Sequence, residues 1–155
     1  MDVTSYSARD QTNLKLIVAL TRCVQSVHRR EAPVIQAAGL TMPQFGVLDL
    51  LYHKGDQKIC QIIEKTLSTG GNMTVIIENL EKQGLVARCE DPQDRRSKVI
   101  SLTREGQKLM KGLFPEHMGN LEKILSALTS AEKRQLIDLA KKLGLGAAQG
   151  QGEKR

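Results

Sequence analysis

Residues 68–106, STGGNMTVIIENLEKQGLVARCEDPQDRRSKVISLTREG, change their hydrophobic period partway along, and that change decides the fold. In the first half Met73, Ile76, Ile77 and Leu80 recur at helical spacing behind a Ser68 or Thr69 cap. Gly84 supplies the stop, so the spacing predicts a helix over 68–83. Beyond it, β-branched residues gather in two short segments, 85–90 and 98–102, on either side of Asp91-Pro92-Gln93-Asp94. That tetrapeptide is turn chemistry, because Pro presets one backbone angle and Asp side chains bond nearby backbone groups. The two segments read as a hairpin with Arg95-Arg96 at its tip, and Thr103 caps the helix that follows.

Upstream, a shorter helix over about Lys58 to Thr66 presents Ile59, Ile62 and Ile63 on one side. Before it, Leu40-Thr41-Met42-Pro43-Gln44-Phe45 writes a helix start in several ways: Thr41 caps, Gln44 reciprocates three residues on, and Pro43 suits the first turn. Leu40 and Phe45 also have the spacing of a hydrophobic staple. This helix carries Phe45, Leu48, Leu51 and Tyr52 and stops at Gly55. The first helix opens at Asp10 and its stripe of Leu14, Ile17, Val18, Val24 and Val27, widened by Leu16, Leu20 and Cys23, calls for more than one neighbour. Cys23 is therefore expected to be buried, and Pro33 to break or kink the helix before Gly39 ends it.

Downstream of Thr103, Leu109, Met110, Leu113, Met118, Leu121, Ile124 and Leu125 keep helical spacing, with Pro115 an expected kink. Thr129 and Glu132 form a second capping box, and the helix they open carries Leu136, Leu139, Ala140 and Leu143 and is expected to end at Gly144. Residues 146–155 are small and polar, an expected disordered tail. The fold class is mainly α with a small β-hairpin wing: three short helices followed at once by a hairpin, the winged helix-turn-helix order.

Bulk composition is compatible with this. A chain of 155 residues suits one compact domain, or a small reading head joined to an oligomerisation scaffold. With 40% hydrophobic but only 3% aromatic residues and no Trp, the core must come from Leu, Ile, Val and Ala on helices. The net charge of +6 attracts polyanions without naming one. No apolar run approaches the roughly 20 residues that span a bilayer, and the N-terminus lacks an apolar signal region, so a soluble, cytoplasmic protein with no membrane partner is expected. Three cysteines with no CxxC pair argue against a disulfide framework and a cysteine-rich zinc module. No nucleophile elbow, phosphate loop or HExxH is present, which argues against an enzyme and leaves no cofactor expected.

A DNA-reading helix must be apolar on its docking side and small or polar on the other, above all in its first two turns. Opposite Met73, Ile77 and Leu80, the helix over 68–83 sets Ser68, Gly71, Asn72, Thr74, Val75, Glu78, Asn79 and Lys82. The N-terminal half of that face carries no acid. Asn72 can pair with adenine, Thr74 or Val75 can meet a thymine methyl, and Gly70-Gly71 leave backbone N–H groups open to a phosphate. Glu78 should repel phosphate, so the helix is expected to tilt away from DNA beyond it. Arg95 and Arg96 at the tip can reach a narrow minor groove or adjacent phosphates.

The linked motifs Gly39-Leu40-Thr41, Gln44-Phe45, Leu80-Glu81-Lys82-Gln83-Gly84-Leu85-Val86, Asp91-Pro92-Gln93-Asp94-Arg95-Arg96-Ser97 and Ser101-Leu102-Thr103-Arg104-Glu105-Gly106 resemble the MarR family of transcriptional regulators, over nearly the whole chain. The resemblance implies a homodimer: an N-terminal dimerisation helix region at 10–39, a winged helix-turn-helix DNA-binding domain at 40–102 and C-terminal dimerisation helices at 103–145. It implies double-stranded DNA with a pseudo-palindromic operator as partner, read through Ser68, Thr69, Gly71, Asn72, Thr74, Val75, Arg88, Asp94, Arg95 and Arg96. Arg96 matches the family's minor-groove or phosphate residue, Asp94 its orienting partner, and Arg88 a position that meets phosphate. It further implies a repressor released by a small lipophilic or phenolic inducer, held near Tyr52, His53, Phe114 and His117.

Three other readings stand beside this one. A redox-responsive regulator would use Cys23, Cys60 or Cys89, although Cys23 lies deeper in its helix than the family's peroxide- and quinone-sensing cysteines. A zinc-responsive one would recruit His28, His53, His117 and Glu116, which lack paired ligand spacing. A winged-helix adaptor that binds protein would favour an acidic groove face, and Arg88, Arg95, Arg96 and Lys98 argue against it.

Overall fold

The computed structural model describes residues 7–66, 70–91 and 94–149, with the side chains of 94–97 and 148–149 outside that description. The chain divides into two compact units, Met1–Asn120 and Leu121–Arg155.

The first unit begins with helix α1, Ala8–Ala37, capped by Ser7, whose Oγ accepts from the Asp10 N–H at 3.2 Å. The helix runs unbroken through Pro33, contrary to the expected break. Proline there forfeits one backbone bond, and Val34, Ile35 and Ala38 beyond it pack into or against the core, which favours continuing the helix. Helix α2, Met42–Lys54, opens with the expected capping box: Gln44 N–H donates to Thr41 Oγ1 at 3.4 Å and Thr41 N–H to Gln44 Oε1 at 2.9 Å. Leu40 and Phe45 are both buried beside it.

Lys58, expected to open the third helix, lies instead in a strand that the sequence did not announce: β1, Gln57–Lys58, pairs antiparallel with the later strand β3, Asp94–Leu102. Between them come α3, Ile59–Thr66, α4, Gly70–Lys82, and β2, Val86–Asp91. The sheet order is β1-β3-β2, so the wing is a hairpin with a third, two-residue edge supplied by the head. Helix α4 ends as its sequence requires: Leu85 N–H reaches Leu80 O at 3.0 Å around Gly84, whose φ of +72° suits glycine.

The core lies where these elements meet. Ile35, Val47, Leu48, Ile62, Met73, Ile77, Leu80, Ile100 and Met110 are its fully buried members, from α1 to α4, from β3 and from the helix that follows β3. Helix α5, Arg104–Ile124, starts against the end of α4. Thr103 Oγ1 accepts from Gly106 N–H at 3.0 Å and donates to Gly84 O at 2.6 Å, while Thr103 N–H donates to Leu85 O at 3.1 Å. Gly106 is buried so closely there that an added Cβ would lie 2.1 Å from the Leu85 carbonyl oxygen. Farther along, past Pro115, Asn120 Nδ2 donates to Arg30 O at 3.1 Å and ties α5 to α1.

The second unit contains the end of α5, a 3-10 turn at Leu125–Ala127 and helix α6, Ser130–Gln149. Its capping box forms as expected, with Glu132 N–H donating to Thr129 Oγ1 at 3.3 Å and Thr129 N–H to Glu132 Oε2 at 2.8 Å. These bonds, backbone first, hold the exposed Glu132 carboxyl below its ordinary pKa. The helix passes Gly144 and continues to Gln149, so 146–149 are helical rather than disordered, and 150–155 lie outside the described residues. A helical glycine costs only about 1 kcal/mol, and Ala147 and Ala148 are strong helix formers. Among the described residues no single helix is long and apolar enough to cross a membrane.

Candidate nucleic-acid interface

Helix α4 has the two-sided character that DNA reading demands. Met73, Ile76, Ile77 and Leu80 are buried, whereas Gly71, Asn72, Thr74, Val75, Glu78, Asn79 and Lys82 are exposed. There is no acid in the first turn, so the positive end of the helix is not neutralised from within. Thr74 Oγ1 donates to Gly70 O at 3.1 Å, which orients its methyl and hydroxyl together. Val75 is 54% exposed, an apolar side chain facing outward with no partner in the core. Ser68 and Thr69 lie outside the described residues.

The wing ladder is regular from Val86↔Leu102 to Glu90↔Lys98, and then Asp91 pairs with Asp94. Two neighbours on β2 thus face residues separated on β3 by Arg95, Arg96 and Ser97. These three form a bulge beyond the regular ladder, and two of them are the arginines expected to touch DNA. The side chains of Asp94, Arg95 and Arg96 lie outside the described residues.

Among the described residues three ion pairs brace this region, none of them anticipated from sequence. Arg88 Nε donates to Glu81 Oε2 at 3.0 Å, joining β2 to the last turn of α4. Arg88, expected to meet phosphate, is therefore held by the reading helix. Lys98 meets Glu90 at 3.4 Å across the ladder, and Lys58 Nζ meets Asp91 Oδ2 at 2.9 Å from the far edge strand. Long sequence separations hide such pairs from periodicity.

The residues expected to hold a ligand do come together. The Phe114 ring centroid lies 5.9 Å from Tyr52, 4.9 Å from His53 and 6.2 Å from His117. Phe45, read only as core, completes the cluster at 4.7 Å from His117. His117 is buried, with its Nδ1 lacking a hydrogen-bond partner, while His53 is exposed and 3.3 Å from Asp49. Tyr52 lines a cavity of about 510 Å³ with Asp56, Gln107 and Lys111. Phe45 lines another of about 660 Å³ with His28, Lys65, Asn72 and Ile76.

Cys23, Cys60 and Cys89 are all exposed. For Cys23 this corrects the expected burial: its stripe on α1 is not covered within the chain, and Leu14, Ile17, Val18 and Val24 are about half exposed with it. Among the described residues no cluster of His, Cys, Asp and Glu has the makings of a metal site.

A three-helix head with an outward polar reading helix and a basic hairpin bulge defines a winged-helix DNA-binding protein. The sequence profile of the MarR family matches residues 40–98, which span the head and most of the wing. The chain is 34% identical over 139 residues to the HTH-type transcriptional regulator MhqR of Bacillus subtilis, covering 90% of this chain and 96% of that one. It is 34% identical over 132 residues to the uncharacterized HTH-type regulator YkoM of the same organism, covering 85% and 86%. Among solved structures it is similar to BpsR of Bordetella bronchiseptica, whose DNA binding is regulated by 6-hydroxynicotinic acid, with 25% identity, a TM-score of 0.75 and coverage of 90% and 96%. The chain belongs to the MarR family of DNA-binding transcriptional regulators.

Proposed function

We propose that this regulator is a homodimeric repressor of the bacterial cytoplasm that reads a pseudo-palindromic operator and leaves it when a small lipophilic or phenolic compound binds; it performs no catalysis. The observation that carries the DNA reading is the polarity of α4, with four apolar residues buried behind an acid-free exposed first turn. Asn72, Thr74 and Val75 supply the base contacts, Gly71 with Ser68 and Thr69 the phosphate contacts at the helix start, and Arg95 and Arg96 the minor-groove or phosphate contacts, with Asp94 orienting Arg96. Arg88 reaches phosphate from its bridge to Glu81.

Dimerisation is supported by what the chain leaves uncovered. Leu14, Leu16, Ile17, Val18 and Val24 on α1, and Leu136, Ile137, Leu139, Leu143 and Leu145 on α6, are 45–67% exposed. An apolar face of that kind, on each of the two helices taken separately, is what an interface covers, and a second copy offers the same faces in return. The regions 10–39 and 103–145 accordingly serve dimerisation and 40–102 serves reading, with half-sites about 10 base pairs apart or a multiple of that.

An inducer site is supported by the aromatic cluster of Phe45, Tyr52, His53, Phe114 and His117 and by the cavities its edges line. A ligand there shifts the equilibrium only by preferring one arrangement of the two heads. The BpsR relation supports an aromatic compound.

The test is a fluorescence-anisotropy titration on the DNA flanking the chain's own gene, against scrambled DNA at two salt concentrations. Tight, sequence-dependent and salt-sensitive binding is the expected result. Equal weak binding to both duplexes would leave the protein-binding adaptor in front.

A further inference from the structure

Asp91 behaves unlike its neighbours. Arg88, Cys89 and Glu90 before it on β2 are exposed, yet Asp91 is only 7% exposed at the end of the hairpin. Its carboxylate accepts from Lys58 Nζ at 2.9 Å. Lys58 lies on β1, at the opposite edge of the sheet, so the bridge spans the middle strand β3. A carboxylate taken out of water is costly unless paired, which couples the position of Asp91 to that of Lys58.

What the bridge joins gives it a role. Lys58 is followed directly by α3, the helix that precedes the reading helix α4. Asp91 closes the Asp91↔Asp94 rung, and the Arg95-Arg96-Ser97 bulge begins at the next residue. We propose that the Lys58–Asp91 bridge positions the wing tip against the helix-turn-helix for DNA binding, acting through the arginines of the bulge rather than touching DNA. This inference rests on the reading that the wing contacts DNA.

Simple electrostatics and the bridge make opposite predictions for Asp91. Removing a negative charge near DNA should tighten binding if Asp91 merely adds to the local field. If it anchors the wing, Asp91→Asn should weaken binding about tenfold, the size expected when a charge-assisted contact is lost. Lys58→Met should weaken it similarly, and the double variant Lys58→Met/Asp91→Asn no further than either single one, because residues acting as a unit are not additive. Lys58→Arg keeps a cation in reach of the carboxylate and should restore near-normal affinity.

The experiment uses the full chain and the duplex that the unmodified protein selects from a random-sequence pool. Affinity is read by anisotropy, hydroxyl-radical footprints report the minor-groove flanks, and methylation protection reports the major groove read by α4. The expected pattern is loss of flank protection with the major-groove footprint retained. Unchanged or tighter binding by Asp91→Asn, or additive losses in the double variant, would overturn the inference. Should Asp91→Asn fail to fold by its melting curve, Lys58→Met with intact flank protection is the overturning result. Arg96→Ala, run in parallel, separates the two levels: if it leaves affinity unchanged, the wing reading itself fails. If it weakens binding while Asp91→Asn does not, only the bridge fails.

Discussion

Leu48 on α2 is fully buried, whereas Ile17 on α1, an aliphatic side chain of the same size, is 60% exposed. The contrast holds across the molecule. The head closes a core of its own around Ile62, Met73, Ile77, Leu80 and Ile100, while the N-terminal turns of α1 and the whole of α6 leave their large apolar residues half uncovered. The head buries its apolar side chains within one chain, whereas the long helices leave theirs open, which is what the proposed dimer would cover.

The largest test of that contrast is Leu48→Ala, which should cost about 2–5 kcal/mol and lower the melting temperature markedly, because a fully enclosed site leaves a cavity. A small cost by chemical denaturation would mean the head core is looser than its burial implies. Next comes Gly106→Ala. The new methyl meets a backbone carbonyl that cannot turn aside, so a loss of about 1–3 kcal/mol is expected, with the α4–α5 junction opening first in hydrogen exchange.

Thr129→Ala removes the cap of α6 and should cost about 1 kcal/mol of helix stability, read by circular dichroism. Its partner sets a pH signature. The folded-state pKa of Glu132 is depressed, so its contribution is present above the ordinary carboxylate pKa and is lost as pH falls through the lower folded value. In Thr129→Ala that acid-side loss should shrink.

The smallest effect belongs to Ile17→Ala. In dilute, dissociated protein it should change stability by no more than about 0.5 kcal/mol, as for other surface changes. At high concentration the cost should grow, because an associating protein gains stability by mass action. Calorimetry at two concentrations checks this. A cost equal to that of Leu48→Ala in dilute solution would break the comparison.

How much of this was legible in sequence depends on range. The caps at Thr41 and Thr129, the ends at Gly39 and Gly84, and the buried face of α4 were readable because each is decided within a few residues. Strand β1 was not, since two residues carry no period. The bridges Lys58–Asp91 and Arg88–Glu81 join residues that come close only through the fold. The exposure of Cys23 escaped because an apolar stripe signals a preference for burial and not whether the same chain supplies the cover. The continuation of α6 past Gly144 and Gly146 escaped because each single glycine is a weak stop when helix formers lie around it. At the candidate site, residue types on α4 and the aromatic cluster were foreseen, whereas the bulge at 95–97 appears only in the register of the ladder.

That bulge has a consequence for how such a protein can diversify. Arg95, Arg96 and Ser97 lie between two consecutive rungs of the wing, with no residue of β2 set opposite them. Exchanging them leaves the regular pairing from Val86 to Glu90 intact, so the tip can be rewritten by point mutation at little cost to the scaffold. In evolutionary terms the wing is a replaceable nib on a fixed pen: on the proposed reading of the wing, new target preferences can arise there without the head having to be refolded around them.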